Sequence, residues 1–204
     1  MIAERLGLSK GTLSDWLREI PYRPNQTVIA RIRAGPARAA VVKQERRYGE
    51  IASLRKEGLR TVGRISQRDL MFLGLGVYMG EGSKLYEIIR LVNSDPKILK
   101  IAIEWFKKVC QVPNQNFAIR LHLYPDTPQK KSVAYWSRVT GIPSRQFEKV
   151  QVDRRLGKSF KKRGHLPYGT AHLTIRSHGD TRFGVTLHRR IIGWIDAVYK
   201  KMRV

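Results

Sequence analysis

An apolar run interrupted by glycines is the feature that most constrains this chain. Residues 70 to 82 have the sequence Leu-Met-Phe-Leu-Gly-Leu-Gly-Val-Tyr-Met-Gly-Glu-Gly, and Ser66 stands where a helix cap is expected. Each glycine inside a helix costs up to about 1 kcal/mol relative to alanine, so another interaction must compensate. Gly76 and Gly80 share one helix face and remove side chains from it. Two such helices can therefore pack backbone against backbone.

A carboxylate ends this predicted helix. Glu81 directly follows Gly80. Beside the same carboxylate of a second helix, it would form a place for a divalent metal, because two close negative charges need a cation. The sequence therefore predicts a metal site at this helix end, built from two helices.

The same stretch carries a family resemblance. Residues 74 to 82 resemble the motif of the LAGLIDADG homing endonucleases, in the variant that ends Gly-Glu-Gly. The matching positions are the central glycine, the last small residue, the final acid and the terminal glycine, which are Gly76, Gly80, Glu81 and Gly82. The chain departs from the motif at Gly74, where leucine is expected, and at Met79, where a first acid is usual. The final acid, on which the chemistry depends, is retained.

The resemblance covers roughly residues 66 to 202 and implies an α+β fold. The expected element order is helix, two strands, helix, strand, an inserted helix and strand, then a strand and a closing helix. This order is similar to the αββαββα module of the family with an inserted helix and strand. Strand-like patterns at residues 84–93, 117–124, 147–152 and 171–176 fit that order.

A single motif implies a homodimer. Residues 191 to 197 superficially resemble a second motif, but Val198 and Tyr199 occupy the positions of its acid and glycine. We therefore expect this segment to be the closing core helix. Each chain of a dimer would supply one motif helix and one Glu81, and a symmetric dimer prefers near-palindromic DNA. The predicted interface residues are Leu73, Gly76, Val77 and Gly80.

The resemblance also implies a reaction, the hydrolysis of DNA phosphodiester bonds with Mg²⁺. The two Glu81 carboxylates and the backbone carbonyl of Gly80 are the implied metal ligands. The family usually has a basic residue near the scissile phosphate. Arg176 and His178, at the end of the last predicted strand, are the candidates for this role, and contact with the DNA backbone is an equally open role for both.

Charge independently indicates a polyanionic partner. The 204 residues include 40 Lys and Arg against 16 Asp and Glu, a formal net charge of +24. Such an excess favours double-stranded DNA, with RNA as a weaker alternative. A membrane is not expected, because the longest apolar run has ten residues and a spanning helix needs about 18. No signal-peptide pattern is expected at the polar N-terminus.

Cysteine usage indicates a reducing environment. Cys110 is the only cysteine, so neither an intrachain disulfide nor a cysteine zinc cluster can form. We therefore expect a cytoplasmic protein. The chain also lacks a compact His-Asn-His arrangement with a zinc knuckle and a Walker-type glycine loop, the signatures of other phosphate-processing enzymes.

Three regions are predicted along the chain: 1–24, 25–65 and 66–204. The first resembles a helix-turn-helix, in which Ser9 caps a second helix, although any small helical hairpin has the same pattern. Its candidate DNA contacts are Lys10, Thr12, Ser14 and Arg18. The second is a basic helical linker, expected to be interrupted near Gly35–Pro36 and suited either to tracking DNA or simply to facing solvent.

The strands and one loop of the third region supply further candidate DNA contacts. Polar residues alternate with apolar ones and could line a saddle that enters the major groove. These strand residues are Arg90, Arg120, His122, Lys149, Gln151, His172, Thr174 and Arg176. The loop residues, expected to contact phosphates, are Arg154, Arg155, Lys158, Lys161, Lys162 and Arg163.

Three functions remain open from the sequence. The first is a site-specific homing-type endonuclease, which the retained Glu81 favours. The second is a transcription regulator that keeps the module and has lost cleavage. Some bacterial sporulation regulators combine a LAGLIDADG-like module with a helix-turn-helix, although there the helix-turn-helix follows the module. The third is an RNA-binding role, such as intron splicing.

Overall fold

A computed structural model describes residues 2–21, 23, 25–153 and 166–204 of the chain. It divides into two compact units, Met1–Gly63 and Arg64–Val204. The first unit is helical and contains α1 (Ile2–Arg5), α2 (Lys10–Trp16) and α3 (Gln26–Val62). The second unit combines helices with a sheet, so the α+β class is confirmed.

The start of α2 follows from local sequence. Gly7 adopts φ +63°, a left-handed conformation that ends α1 and that glycine adopts without steric cost. The Ser9 hydroxyl then accepts a hydrogen bond from the backbone N–H of Thr12 at 3.0 Å. This bond satisfies one of the free N–H groups of the new helix, so the predicted N-cap at Ser9 is confirmed.

The predicted interruption near Gly35–Pro36 is wrong. The 37-residue α3 continues through Pro36. Proline removes one hydrogen bond and strains the preceding turn, but alanine, the strongest helix former, recurs on both sides. The neighbouring alanines are Ala34, Ala37, Ala39 and Ala40. The helix begins after Asn25, whose side chain accepts a hydrogen bond from the N–H of Val28 at 2.9 Å.

The described residues of the second unit form four α-helices and four strands. The helices are α4 (Gln67–Glu81), α5 (Pro96–Lys108), α6 (Gln129–Thr140) and α7 (Val185–Met202). The strands are β1 (Arg90–Asn93), β2 (Phe117–Leu123), β3 (Gln151–Val152) and β4 (Thr170–Ile175). The sheet order is β1-β4-β2-β3, in which β4 pairs antiparallel with both neighbours and β2 pairs parallel with β3.

A reciprocal cap fixes the start of α4. The Ser66 hydroxyl accepts a bond from the N–H of Asp69 at 3.2 Å, and the Asp69 carboxylate accepts one from the N–H of Ser66 at 2.8 Å. The helix ends at Glu81, and the N–H of Gly82 donates to the carbonyl of Tyr78 at 2.8 Å. The glycine-rich run is thus one helix that ends on its carboxylate.

Gly74 has a packing role within the chain. A Cβ atom at this position would lie 2.0 Å from Cγ of Trp105 in α5. Only glycine lets α4 approach the indole this closely. Trp105 in turn packs against Tyr78 of α4 and Phe106 of α5 in the buried core. The motif position that departs from leucine is therefore occupied by the residue that α4–α5 packing requires.

The core lies on one face of the sheet. Residues of one alternating set in β1, β2 and β4 are buried, among them Leu91, Leu121 and Leu173. The closing helix α7 buries Ile191 and Ile195. The interpretation of residues 191 to 197 as part of a core helix, rather than as a second motif, is therefore confirmed.

Two of the predicted strands are shorter than expected. Between α4 and α5 only β1 is a regular strand, and Gly82 adds a single bridge to Leu91. Tyr86 and Glu87 adopt φ +63° and +51°, a left-handed backbone that interrupts an extended chain. The expectation of two strands at this place is therefore wrong. The pattern at 147–152 likewise yields only the two residues of β3 and one isolated bridge between Phe147 and Ile119.

Candidate nucleic-acid interface

The face of the sheet opposite the core carries polar side chains. Pairing places Arg120 of β2 opposite His172 of β4, and Arg90 of β1 opposite Thr174 of β4. Side chains alternate between faces along each strand, so the buried positions leave these residues on the open side. They surround a depression of about 90 Å³. The residues that line it, hereafter the sheet-face cluster, are Arg90, Arg120, His122, Glu148, Gln151, His172 and Thr174.

Six of the eight strand residues predicted to contact DNA thus lie around one depression. Arg176 joins its edge, because its guanidinium binds Glu148. Lys149 is exposed in the segment before β3 and does not line the depression.

Glu148 connects two of these arginines and was missed by sequence reasoning. One carboxylate oxygen lies 2.7 Å from Nη2 of Arg120, and the other accepts a bond from Nε of Arg176 at 3.0 Å. Partial burial would raise the pKa of Glu148, but the hydrogen bonds and charges of Arg176 and Arg120 outweigh it and lower the pKa below its usual value. One feature of the sequence could have revealed this residue: Glu148 is the only acidic residue between Asp126 and Asp153.

Two histidines form the middle of the cluster. The rings of His122 and His172 stack with their centroids 3.7 Å apart and their planes at 16°. Burial first, and then the charges of His122, Arg90 and Arg120, lower the pKa of His172 to about 4. Burial and the two arginines also lower the pKa of His122. Both rings are therefore neutral near pH 7, and the positive charge of this face comes from its arginines.

The predicted dimer face of α4 is open within one chain. Gly76 and Gly80 are exposed, and a Cβ atom at either position would meet nothing within 4 Å. Leu73 is 44% exposed although it is large and apolar, and Val77 is half-buried. The open stripe of Leu73, Gly76, Val77 and Gly80 therefore has room for another backbone.

Glu81 lies at the end of this stripe with an exposed side chain. Among the described residues no group of three or more His, Cys, Asp or Glu side chains could hold a metal ion. The oxygen donors that the described residues place at this helix end are the Glu81 carboxylate and the neighbouring carbonyl of Gly80. A second copy would add its own carboxylate and carbonyl, and such oxygen ligands are the kind that Mg²⁺ prefers.

The chain does not bring Glu81 together with Arg176 or His178. Gly82, next to Glu81, pairs with the outer edge of β1, two strand spacings of about 4.8 Å from β4. Arg176, just beyond β4, instead binds Glu148 beside β2, and Nε2 of His178 lies 3.3 Å from the carbonyl of Gln115. The structure therefore associates Arg176 with the sheet-face cluster rather than with the helix end.

The predicted contacts of the first unit are all exposed, in α2 or just after it. They are Lys10, Thr12, Ser14 and Arg18. Thr12 bonds to Ser9, and Arg18 pairs with Asp15 at 2.7 Å. Trp16 is also 66% exposed, and no described residue of α2 is buried. The predicted phosphate-binding loop, residues 154–163, lies outside the described residues.

Comparisons of the chain with protein-family profiles, with curated proteins and with solved structures found no match. Within the described part of the chain, no helix is long and apolar enough to cross a membrane.

Proposed function

We propose that the protein is a homing-type endonuclease that binds double-stranded DNA as a homodimer and cleaves it with a divalent metal. The sheet-face cluster is the observation that carries the DNA-binding part of this proposal, and the exposed Glu81 at the end of α4 carries the cleavage part. The sheet-face cluster combines arginines, neutral histidines and a glutamine on the open face of paired strands. Arginine can recognise guanine and glutamine can recognise adenine through two hydrogen bonds each.

The shape of the face also supports contact with DNA. In the middle of the four-stranded sheet, β2 and β4 pair antiparallel over six residue pairs, and side chains from paired strands can reach base edges in the major groove. Side chains of Arg120 and His172 project from opposite positions of this strand pair. The large net positive charge supplies the attraction to phosphates that does not depend on sequence.

Cleavage is proposed from the end of α4. Packing of two α4 helices along their open stripes would bring two Glu81 carboxylates together. These carboxylates and the Gly80 carbonyls would hold Mg²⁺, aided by the negative end of each helix dipole. The bound ion would supply Lewis acidity and activate water. Arg176, held by Glu148 at the sheet face, would position the duplex rather than act at the metal.

A transcription regulator is the second candidate, and two observations favour it. The capped α2 follows α1 and a glycine turn, as in a helix-turn-helix. Among the described residues, Glu81 belongs to no group of three or more His, Cys, Asp or Glu side chains that could hold a metal ion. A regulator would need the DNA-binding face and the dimer but not the metal.

The test starts from a randomised duplex library, because the target sequence is unknown. The purified full-length chain is mixed with the library, and the bound duplexes are sequenced. A selected duplex is then incubated with the protein and either Mg²⁺ or a chelator. We expect both strands to be cut in the sample with Mg²⁺ and neither strand to be cut in the sample with the chelator. Tight binding without cutting in Mg²⁺ or Mn²⁺ would favour the regulator.

A further inference from the structure

The sheet-face cluster contains one carboxylate among its cationic and neutral side chains. Among the described residues that line the depression, only Glu148 is acidic. A negative charge opposes the approach of DNA phosphates, so a surface built only for affinity would omit it. Its presence within a protein of net charge +24 therefore needs a specific explanation.

The geometry of Glu148 is that of a bridge between two strands. Each carboxylate oxygen binds a different guanidinium, that of Arg120 in β2 and that of Arg176 after β4. The backbone of Glu148 is fixed as well, because its N–H donates to the carbonyl of Ile119 at 2.8 Å. The bridge is thus anchored to the sheet and not only to flexible side chains.

The exposures show which part of the bridge faces outward. The Glu148 side chain is 23% exposed, whereas Arg120 and Arg176 are 44% and 46% exposed. A guanidinium has five N–H donors in a fixed fork. Glu148 engages Nη2 of Arg120, and Nε and Nη2 of Arg176. Each guanidinium therefore has further N–H groups with which it could bind a ligand, while Glu148 fixes its orientation.

We propose that Glu148 is a positioning residue that gives the sheet face its sequence selectivity by orienting Arg120 and Arg176 toward base edges. The inference rests on the proposed binding of duplex DNA. A free arginine at this rim could rotate to the nearest phosphate, which is the same for every sequence. A tethered arginine loses less rotational freedom on binding a base, and the nearby carboxylate disfavours phosphate.

The test compares Glu148→Gln with the wild type and with Glu104→Gln in the full-length protein. Glu104 makes the same kind of surface ion pair, 2.8 Å from Nζ of Lys108 on α5, but lies outside the cluster. Dissociation constants are measured for the duplex that the wild type selects and for a scrambled duplex, across a series of salt concentrations. Circular dichroism and thermal unfolding check that each variant is folded.

We expect Glu148→Gln to bind the scrambled duplex more tightly and to lose discrimination. The ratio of the two dissociation constants should fall by about tenfold, the order that one bidentate base contact contributes. The salt dependence on the scrambled duplex should steepen by about one to two units, because two arginines become free for phosphates. Glu104→Gln should match the wild type in both respects.

A double-mutant cycle separates positioning from a purely structural role. In a protein that carries Arg120→Ala and Arg176→Ala, the further change Glu148→Gln should leave the discrimination ratio unaltered. Glu148→Asp, whose shorter side chain cannot span both guanidinium groups, should lose discrimination while keeping the charge. It also serves as the test variant if Glu148→Gln does not fold.

The outcomes distinguish this inference from the proposed function. If a wild-type protein selects a sequence and cuts it, but the Glu148 variants keep its discrimination ratio, the inference alone is wrong. An effect of Glu148→Gln that persists without the two arginines overturns it too. A wild type that selects a sequence and does not cut overturns only the endonuclease. A wild type that selects no sequence overturns both.

Discussion

The imidazole rings of His122 and His172 stack face to face, with their centroids 3.7 Å apart. They project from neighbouring antiparallel strands as diagonal neighbours two positions apart in register, because His122 pairs with Thr170 and His172 pairs with Arg120. Two charged rings at this distance would repel each other, and burial also disfavours the charged form. Both histidines stay neutral near pH 7. The stacked rings can therefore lie beside the positively charged Arg90 and Arg120 without charge repulsion.

This stack predicts a loss of stability in mild acid. The pKa of His172 is about 4 in the folded protein and near 6.5 when unfolded, so the unfolded state binds a proton first as pH falls. The titration of His172 leaves the free energy of unfolding unchanged above pH 6.5 and lowers it progressively as the pH falls from 6.5 toward 4. Between pH 7 and pH 5 we expect a loss of about 1 kcal/mol, after allowance for partial solvent exposure.

Urea unfolding at both pH values measures this loss. Carboxylates titrate mainly below this range, so they contribute little to the difference. His172→Phe keeps a ring in the stack but cannot take up a proton, and its stability should change less between pH 7 and pH 5. An equal decline in the variant and the wild type would refute the role of the histidine.

Gly74 should be far less tolerant of substitution than Gly76, its neighbour on the same helix. A Cβ atom at Gly74 would lie 2.0 Å from Cγ of Trp105, whereas one at Gly76 meets nothing within 4 Å. Gly74→Ala should therefore lower the free energy of unfolding by about 1 to 3 kcal/mol through overpacking. At a protein concentration where the chain is monomeric, Gly76→Ala, the matched control, should raise it by up to about 1 kcal/mol through helix propensity. Chemical denaturation of both variants decides between these directions.

A large residue on the open stripe of α4 should be compatible with the folding of a single chain but should prevent two chains from packing together. Gly76→Leu and Gly80→Leu place a side chain where two backbones are proposed to meet, while their own chain leaves the space free. Each variant should therefore be a folded monomer, and the wild type should be a dimer. Sedimentation analysis with circular dichroism measures both properties. A wild-type monomer that still binds a palindromic duplex tightly would contradict the proposed interface.

Much of the fold follows from local sequence. The caps at Ser9 and Ser66 are formed by hydroxyl and N–H groups only three residues apart, so spacing alone reveals them. Alternation along β2 and β4 likewise placed His122 and His172 on one face. Local patterns were less reliable where tertiary context decides, as at Pro36, which α3 accommodates within an alanine-rich stretch.

The candidate site was harder to predict, because its decisive contacts join distant segments. Glu148 reaches Arg176 across 28 positions of sequence, and no periodic pattern marks such a pair. Gly74 seemed to be only a departure from a motif, and the indole of Trp105 that explains it lies on another helix. Sequence spacing identifies residues on one element, whereas contacts between elements depend on how those elements pack.

Glu81→Gln tests the proposed chemistry most directly. The substitution keeps the size of the side chain at the exposed end of α4 but removes the charge that would hold a divalent metal. Binding to the selected duplex should persist or strengthen, because two carboxylates no longer face phosphates across the dimer axis. Cleavage should fall by several orders of magnitude, since the metal would supply both the nucleophile and the charge stabilisation.

Cation replacement and a matched variant complete this test. A chelator should abolish wild-type cleavage as the mutation does, and Ca²⁺ should support binding without cleavage, because its looser coordination positions water poorly. Glu104→Gln, the same chemical change on α5, should cut at the wild-type rate. Both strands of a selected duplex are followed by gel electrophoresis over time. Wild-type cleavage rates in the Glu81→Gln protein would exclude this carboxylate from the reaction, because a residue that holds the catalytic metal cannot lose its charge without consequence.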